Sequence, residues 1–486
     1  MPASALATDL YQLTMMAGYF AAGRHHTTRA TFELFVRRLP PGRSFLVAAG
    51  IEQALSLLEL LHFEEPEVAW LARQPALARA PAGFFDYLRG FWFSGEVWAV
   101  REGTPVFANE PILRVTAPIA EAQLVETALL ATINFQTSVA SKAARVVIAA
   151  DGRPVMEFGA RRAHGLDAAR CAARAAFLAG CAGTSLVEAA QRSSIPLAGT
   201  MAHSWVMSAV DEVTAFREYD AIFAEHAVLL LDTYDTIAAA RAIVDHHMQP
   251  SAVRLDSGDL GGLSREVRAI FDEAGLTGTR IFASGDLDEH AIARLIASGA
   301  PIDGFGVGTS VVTSIDAPAL GGVYKLVEVV DDGPGRLVMK TSAGKGTWPG
   351  RKQIWRVMEN ARAARDIIAL HDEPQTAGSR PLLERVMVDG TRTSALLPLA
   401  HARVWCAERI AELPPDLRRI DRDASYDVQP SRGLTEAIRM AQGSGWLMTH
   451  DTGSEPLTTH RDLSDHDAVI VVARDVRPYV DTADPP

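Results

Sequence analysis

The chain has 486 residues, of which 48% are hydrophobic and 22% are charged, and its formal net charge is −12. This length and composition predict a globular protein with a large apolar core and two or three domains, and they exclude a largely disordered chain. The negative charge argues against general nucleic-acid binding, which normally requires a basic surface, but it does not prevent a local cationic pocket from binding a small anion.

The sequence contains no signal for secretion or membrane insertion that we recognise. The segment "MPASALATDLYQ" has no basic stretch followed by an apolar one. No apolar run approaches the roughly 20 residues that a membrane helix requires. The three cysteines form no CxxC pair, which favours a reducing compartment. We therefore expect a cytoplasmic protein without a membrane segment.

The first 140 residues predict a region of mixed strands and helices. Alternation in "ATFELFVRR" predicts a half-buried strand with Phe32, Leu34 and Val36 on one face. The segment "RSFLVAAG" predicts a second strand, and "IEQALSLLELL" predicts a helix. Because Gly and Pro interrupt "GEVWAVREGTPVFANEPILRVTAP", we expect hairpins there. Residues 122–150 predict one long helix or two.

From about residue 150, short apolar runs alternate with amphipathic helical segments. The runs begin near residues 154, 195, 227, 252, 280 and 302, and each ends in Gly, Asp, Ser or Thr. This alternation predicts a parallel sheet that is buried on both faces. If the sheet closes as a TIM-like α/β barrel, the carboxyl ends of its strands meet at one rim, where such folds place their active sites. The polar ends of the runs therefore predict an active site.

The chain beyond residue 320 returns to β structure. The segment "GGVYKLVEVVDDGPGRLVMKTS" predicts a hairpin whose turn is Asp-Gly-Pro-Gly. We expect this part to pack with the first, as a discontinuous α+β domain of residues 1–140 and 321–435 around a barrel of residues 141–320. Residues 436–486 form a C-terminal tail to which the sequence assigns no role.

Cationic residues at two strand ends indicate an anion site. Arg161 lies just past a predicted strand, and Arg254 lies within one. A guanidinium in a buried strand requires an anionic partner, because an unpaired buried charge is very costly. Spacing leaves two alternatives open for Arg254: a structural ion pair with Asp256 or Asp259, or a fork for a substrate carboxylate or phosphate.

A glycine-rich turn and several carboxylates accompany these arginines. The segment "GFGVGTSVV" ends a late strand of the predicted barrel, where backbone N–H groups commonly bind phosphate. Acidic residues follow the strands at Glu157, Asp232, Asp235, Asp256, Asp259, Asp286 and Asp288. Some will cap helices. Their number at one rim favours Mg²⁺ that is bound mostly through substrate phosphates and through one or two protein oxygens.

His203, in "LAGTMAHSWVM", has three possible roles: a packed core histidine, a metal ligand or a chemical group. Its small neighbours leave space around the ring, and a neutral imidazole nitrogen is a good nucleophile near pH 7. The residues alone do not decide among these roles.

Taken together, the motifs resemble the nicotinate phosphoribosyltransferase family. The resemblance covers most of residues 5–355 and is carried, in the family's order, by "TDLYQLTMMAGYF", "FELFVRRLP", "EFGARRAHG", "GTMAHSW", "LLDTYDT", "VRLDSGDL", "FGVGTSVVT", "LGGVYKLV" and "KTSAGKGTWPG". It implies a type II phosphoribosyltransferase fold, an irregular α/β barrel beside an open-faced sandwich domain. It also implies the conversion of nicotinate and 5-phosphoribosyl 1-diphosphate to nicotinate mononucleotide and pyrophosphate, coupled to ATP hydrolysis, in NAD biosynthesis.

The resemblance also implies roles for individual residues. His203 matches the histidine that ATP phosphorylates transiently. Tyr11 matches a tyrosine that stacks on the pyridine ring from a neighbouring subunit, which implies a homodimer with shared active sites. Phe158 is the candidate for the other face of that ring.

Further positions match the substrate sites of the family. Arg254 and Thr200 match nicotinate-site positions, with Arg161 beside them. Thr309, with Gly306 and Gly308, matches the phosphate-binding loop. Asp256 and Asp232 are candidates for ribose hydroxyls or for Mg²⁺, and Arg254 and Asp256 join His203 as candidate catalytic residues.

Three rival functions remain to be weighed. Nicotinamide phosphoribosyltransferase has an aspartate where this chain has Ser185, and a hydroxyl suits a carboxylate substrate better than a second carboxylate does. A non-catalytic nucleotide-binding homologue would have no reason to keep Tyr11, His203, Arg254 and Thr309 together. A barrel aldolase would need a lysine at a strand end, and none of the six runs supplies one.

Overall fold

The computed structural model describes residues 4–331, 333, 335–340, 346–395 and 398–443. The helices are α1 (Leu10–Ala21), α2 (Arg24–Thr27), α3 (Ile51–Glu59), α4 (Glu65–Leu71), α5 (Phe84–Arg89), α6 (Ile119–Leu124), α7 (Glu126–Ala149), α8 (Leu166–Leu178), α9 (Val187–Ser193), α10 (His203–Ser208), α11 (Glu212–Phe223), α12 (Thr236–Asp245), α13 (Leu260–Glu273), α14 (Glu289–Ala297), α15 (Thr309–Val312), α16 (Leu399–Ala411) and α17 (Arg432–Gly443).

The strands fall into three main sheets and one small pair. They are β1 (Arg29–Val36), β2 (Leu46–Val47), β3 (Glu96–Val100), β4 (Pro105–Val106), β5 (Pro111–Pro118), β6 (Val155–Glu157), β7 (Gly183–Thr184), β8 (Val228–Leu230), β9 (Ala252–Leu255), β10 (Arg280–Ala283), β11 (Gly304–Val307), β12 (Gly322–Val330), β13 (Arg336–Leu337), β14 (Lys352–Glu359), β15 (Arg362–Leu370), β16 (Ser379–Pro381), β17 (Leu383–Val388), β18 (Thr391–Arg392) and β19 (Val428–Pro430).

A seven-stranded sheet combines strands from the first 120 residues with strands that follow residue 320. Its strand order is β13-β12-β1-β5-β3-β17-β18. The predicted hairpin after residue 320 is present, since β12 and β13 pair antiparallel. The hairpin predicted between residues 95 and 118 joins β3 to β5, whereas β4 leaves it and pairs with β2.

Strand β1 corrects the prediction of a half-buried strand. Every residue after Arg29 in this strand is buried, on both faces. The polar face is accommodated because Glu33 forms an ion pair with Lys352, 2.7 Å from Oε2 to Nζ, and both side chains are buried. The alternating sequence therefore marked two buried faces of different polarity.

A six-stranded sheet lies in the middle of the chain, in the order β7-β6-β11-β10-β9-β8. All of its ladders are parallel, as predicted. The prediction of a strand at residue 195 is wrong. The strand that pairs with β6 at this edge of the sheet is β7, and the segment at residue 195 contributes a single parallel bridge, from Leu197 to Thr184. Pro196 lacks the N–H that a ladder requires. Among the described residues no ladder joins β7 to β8, so the sheet has the form of a half-barrel.

Helix α7 links the two sheets and follows α6, so the segment from residue 122 to 150 forms two helices. Lys142 of α7 contacts two carboxylates from distant parts of the chain. Its Nζ lies 2.6 Å from Glu289 Oε2 in α14 and 2.9 Å from Asp316 Oδ1, just after α15. These ion pairs attach the strand-end segments of the parallel sheet to a long, rigid helix.

A third sheet lies in the last part of the described chain. Strands β14, β15, β16 and β19 form a four-stranded sheet in the order β16-β14-β15-β19. The apolar run of the predicted tail, "DAVIVVARDV", and most of the segment 436–486 lie outside the described residues. In the ranges that the structure covers, we find no helix with the length and apolar character to cross a bilayer.

The carboxyl group of Glu212, at the start of α11, should make the stability of the folded protein depend on pH. Burial raises the pKa of Glu212 to about 7, with a further contribution from the charge of Asp235, and its Oε1 has no hydrogen-bond partner among the residues that the structure covers. Because the folded pKa lies above the unfolded one, the stabilisation from the bound proton is complete at low pH and disappears as the pH rises through about 7. We expect Glu212→Gln to stabilise the protein by about 1 kcal/mol at alkaline pH only, after allowance for solvent screening.

Urea denaturation of both proteins at about pH 5 and about pH 8.5 measures this difference. Asp211→Asn at the neighbouring helix cap is the control, because hydrogen bonds from Thr214 lower the pKa of that exposed carboxylate, which therefore stays ionised at both pH values. An equal effect of Glu212→Gln at both pH values would contradict the assignment.

Candidate active site

A cavity of about 600 Å³ lies at the carboxyl ends of the parallel strands. It is the position that the sequence predicted for the chemistry. The predicted site residues that line it are Phe158, Arg161, Ser185, Thr200, His203, Arg254, Asp256, Gly306, Gly308 and Thr309.

Arg254 is the centre of the polar network in this cavity. It projects from β9, and each of its three nitrogens has a partner: Nε donates to Ser284 Oγ at 2.7 Å, Nη1 donates to Thr200 Oγ1 at 2.7 Å, and Nη2 lies 2.7 Å from Asp256 Oδ1. The ion pair with Asp256, one of the two alternatives for this arginine, is therefore present. Because Arg254 also lines the cavity, the pair does not remove it from contact with a ligand.

Asp256 is held in its ionised form. Burial by itself raises the pKa of this carboxyl, but hydrogen bonds from Ser284 and Arg254, together with the charges of Arg254 and His203, lower the pKa below its ordinary value. Asp256 therefore offsets part of the positive charge of Arg254 while its second oxygen, Oδ2, faces His203.

His203 is the first residue of α10, and 42% of its side chain is exposed, which excludes the packed core histidine. Its Nδ1 lies 3.2 Å from Thr233 Oγ1, and its Nε2 lies 3.9 Å from Asp256 Oδ2. Within the described ranges no group of three or more His, Cys, Asp or Glu residues is arranged to hold a metal ion.

The residues that were predicted to bind phosphate lie close to the segment that follows β6. Gly306 has no side chain where the ring of Phe158 lies: a Cβ there would be 2.6 Å from two ring carbons. Helix α15 begins at Thr309, directly after Gly308, and both of these residues line the cavity. The loop and the aromatic ring are thus parts of one surface.

The carboxylates at the strand ends separate into different roles. Asp235 and Asp288 cap α12 and α14 by accepting backbone N–H bonds. Asp232 accepts from Ser257 Oγ at 2.6 Å, and its other oxygen, Oδ1, is buried without a hydrogen-bond partner in the part of the chain that the structure describes. Asp232 does not line the cavity, but the next residue, Thr233, contacts His203.

Comparison with known proteins identifies the family. Residues 6–134 match the model of the nicotinate phosphoribosyltransferase N-terminal domain, and residues 154–352 match that of the nicotinate phosphoribosyltransferase family. A nicotinate phosphoribosyltransferase of Mycobacterium tuberculosis is 46% identical over 88% of this chain and 91% of its own length. The chain belongs to the nicotinate phosphoribosyltransferase family. The resemblance inferred from the motifs is confirmed.

A relative from a second bacterium and two solved structures agree. The enzyme of Bacillus subtilis with the same name is 45% identical over 76% of both chains. The crystal structure of human nicotinic acid phosphoribosyltransferase matches with a TM-score of 0.77 at 30% identity, over 89% of this chain and 99% of that one. A nicotinate-nucleotide pyrophosphorylase from Pyrococcus furiosus matches with a TM-score of 0.68 at 25% identity, over 84% and 95%. The mixed α/β fold with its parallel sheet is that of this family.

Among the predicted site residues of this nicotinate phosphoribosyltransferase, Tyr11 lies farthest from the others in the sequence. It lies on α1, does not line the cavity, and is 46% exposed. Its hydroxyl donates to Glu126 Oε2 at 3.0 Å, and burial together with Glu126 raises the pKa of Tyr11 to about 12. The phenol therefore stays neutral and its ring remains available at the surface.

Three site residues of this family member were missed by the sequence analysis. Ser284 donates to Asp256 Oδ1 and accepts from Arg254, so it joins the two. Thr233 contacts His203. Gly285 has a φ of +94°, and a Cβ there would lie 1.9 Å from the carbonyl oxygen of Asp256. All three lie at strand ends, which was the available signal, but small polar residues there are too common to be selected.

The cavity continues past Arg254 toward the other end of the sheet. A second cavity of about 420 Å³ shares Phe158, Thr200, Arg254 and Gly306 with the first and reaches Arg280, at the start of β10. The residues that are candidates for binding the pyridine base in this nicotinate phosphoribosyltransferase therefore lie where the two cavities adjoin.

Gly306→Ala is expected to weaken the binding of nicotinate. The new methyl group would overlap the ring of Phe158, and overpacking of about 1.4 kcal/mol corresponds to a tenfold rise in the KM for nicotinate. Steady-state kinetics measures this rise. Gly278→Ala is the matched control, since a Cβ there meets no atom within 4 Å and Gly278 does not line either cavity; an equal rise in both variants would contradict the explanation.

Proposed function

We propose that this enzyme transfers the phosphoribosyl group of 5-phosphoribosyl 1-diphosphate to nicotinate, forming nicotinate mononucleotide and pyrophosphate, as in NAD biosynthesis. The observation that carries this proposal is the cavity in which Arg254, Phe158, His203 and Thr309, drawn from four separate motifs, meet at one end of the parallel sheet. The names of the relatives support the same reaction.

The nicotinate site is proposed at Arg254, Thr200 and Phe158, with Arg161 at the exposed side. Arg254 offers a fixed guanidinium, preorganised by Thr200 and Ser284, to the carboxylate of the substrate. Phe158 supplies one aromatic face for the pyridine ring. Ser185, which lines the same cavity, can donate a hydrogen bond to the carboxylate and so favours nicotinate over nicotinamide.

Catalysis in this scheme is mainly positioning and charge stabilisation. The pyridine nitrogen attacks the anomeric carbon, the bond to pyrophosphate breaks, and the transition state is oxocarbenium-like. The attacking nitrogen carries no proton, so no general base is needed. The N-terminal turn of α15, with Gly306, Gly308 and Thr309, would hold the 5-phosphate by backbone N–H groups.

ATP coupling is proposed to proceed through His203. The N–P bond forms at Nε2 as the bond between the γ-phosphorus and its bridging oxygen breaks, and ADP leaves. A neutral imidazole whose Nδ1–H donates to Thr233 would leave the Nε2 lone pair free for this attack, and its exposure supports access by ATP. The carboxylate of Asp256 would then offset positive charge on the phosphorylated ring.

Magnesium is proposed to bind mainly through the phosphate oxygens of the substrates. Asp232 precedes Thr233, which contacts His203, and its Oδ1 has no hydrogen-bond partner among the described residues, so a side-chain rotation toward the cavity would make this carboxylate the single protein ligand. Oδ1 of Asp256 is already engaged by Arg254 and Ser284. When bound, the ion would neutralise charge on the departing pyrophosphate.

The assembly is proposed to be a homodimer with shared active sites. Tyr11, together with the exposed Leu10 and Met15 of α1, presents an apolar surface that a second subunit could cover. In the same way, we infer that the segment around Leu197 completes the half-barrel as an irregular barrel, beside an open-faced sandwich built on the seven-stranded sheet; the bridge to Thr184 supports this.

Product analysis tests the proposed function. The full chain is supplied with 5-phosphoribosyl 1-diphosphate and Mg²⁺ and with either nicotinate or nicotinamide, each with and without ATP, and the mononucleotides are separated by chromatography. We expect nicotinate mononucleotide in excess of the amide product by at least about 100-fold, and more of it with ATP. Preferred formation of the amide product would assign the rival function, and no product from either base would indicate a non-catalytic homologue.

A further inference from the structure

Glu157, the last residue of β6, is a buried carboxylate that does not line the cavity. Its side chain receives hydrogen bonds from two directions. Oε1 accepts from the backbone N–H of Gly159 at 2.5 Å, and Oε2 accepts from Thr184 Oγ1 at 2.6 Å. Only 1% of Glu157 and none of Thr184 is exposed.

The backbone around this carboxylate continues the connection. The N–H of Ser185 donates to the carbonyl oxygen of Glu157 at 3.1 Å, and the N–H of Leu186 donates to Thr184 Oγ1 at 3.1 Å. The segment after β6, with Phe158, and the segment after β7, with Ser185, are therefore joined through one buried side chain.

The environment makes this carboxylate sensitive to its partners. Burial raises the pKa of Glu157, whereas the hydrogen bonds from Thr184 and Gly159 lower it. A buried carboxylate that loses one donor retains an unsatisfied oxygen, and the segment that supplied the donor loses its attachment. Substituting Glu157 or Thr184 should therefore shift the walls of the cavity without changing the charge of the residues that line it.

We propose that Glu157 is a positioning residue that, through Gly159 and Thr184, fixes the spacing between the Phe158 and Ser185 walls of the cavity and so controls affinity for the pyridine carboxylate. It touches no reacting atom. The proposal rests on the proposed function in one respect, that Phe158 and Ser185 contact the base.

The test compares four variants of the full chain by steady-state kinetics. Glu157→Gln removes one acceptor, and Thr184→Val removes the hydroxyl while keeping its shape. We expect each to raise the KM for nicotinate by about tenfold, with kcat and the KM for 5-phosphoribosyl 1-diphosphate changed by less than about threefold. Thr184→Ser restores the hydroxyl and should return the KM for nicotinate to within about twofold of the original.

Glu110→Gln is the matched control. Glu110 is equally buried and also accepts a backbone N–H bond, from Phe107, but it lies outside the cavity. If this variant raises the KM for nicotinate as much as Glu157→Gln does, or if Thr184→Ser behaves like Thr184→Val, the positioning role is wrong. A fall in kcat alone would equally overturn it. Should Glu157→Gln fail to fold, the two Thr184 variants decide.

Hydrogen–deuterium exchange of the substrate-free protein separates this proposal from the proposed function. In Glu157→Gln we expect amides of residues 158–162 and 184–186 to exchange faster by at least about tenfold, with no change there in Glu110→Gln. Unchanged exchange would overturn the positioning role even in an active enzyme. Faster exchange in a chain that makes no nicotinate mononucleotide would contradict the proposed function while supporting the connection between the walls.

Discussion

Arg254→Ala is expected to lower kcat/KM for nicotinate by at least about 10³. The guanidinium makes three contacts of 2.7 Å, to Ser284, Thr200 and Asp256. Charged hydrogen bonds contribute about 1.5–3 kcal/mol each, and the loss of the cation leaves Asp256 ionised beside an anionic substrate. Both consequences act against the binding of a carboxylate.

Arg254→Lys refines this prediction. Lysine keeps the charge but lacks the planar fork that contacts three partners at once, so we expect a loss of about 10² rather than 10³. Arg192→Ala is the matched control, because Arg192 is exposed and pairs with the neighbouring Glu188 on α9. A change of less than tenfold in Arg254→Ala would show that Arg254 does not bind the substrate.

His203→Ala is expected to abolish the effect of ATP. The variant should incorporate no phosphoryl group from ATP and should hydrolyse ATP at least about 10³-fold more slowly, because the nucleophilic nitrogen is missing. The transfer reaction without ATP should persist within about tenfold, since no step of glycosyl transfer uses the imidazole as a base. Intact-protein mass spectrometry after incubation with ATP, together with an ADP-release assay, measures both effects.

His401→Ala controls for non-specific phosphorylation, because His401 is an exposed histidine on α16, far along the chain from the site residues. A phosphoryl group that remains on His203→Ala would place the acceptor elsewhere. Loss of the ATP-independent reaction by more than 10³-fold would instead give His203 a direct part in glycosyl transfer.

The repeating pattern in the middle of the chain was sufficient to predict the parallel sheet. Five of the six predicted runs coincide with β6, β8, β9, β10 and β11, because strands buried on both faces are nearly continuous apolar segments. The sixth, at residue 195, failed: Pro196 limits pairing there, while β7 is only the two residues Gly183 and Thr184. So short a strand carries no periodicity by which a sequence pattern could reveal it.

Long-range pairing explains the other differences. The Glu33 face of β1 looks exposed in sequence because its partner, Lys352, lies more than 300 residues away. Ser284 and Thr233 likewise acquire their meaning only from Arg254 and His203, about 30 residues distant in each case.

The motifs by themselves determined the family, the alternation of strands and helices, and the edge of the sheet at which the polar residues gather. These are local properties, since each depends on a few neighbouring residues and on the period of the chain. Only the tertiary structure decided that Arg254 pairs with Asp256, that His203 is accessible, and that Glu157 joins two walls of one cavity. Such contacts depend on distances between strands, which no spacing along the chain specifies.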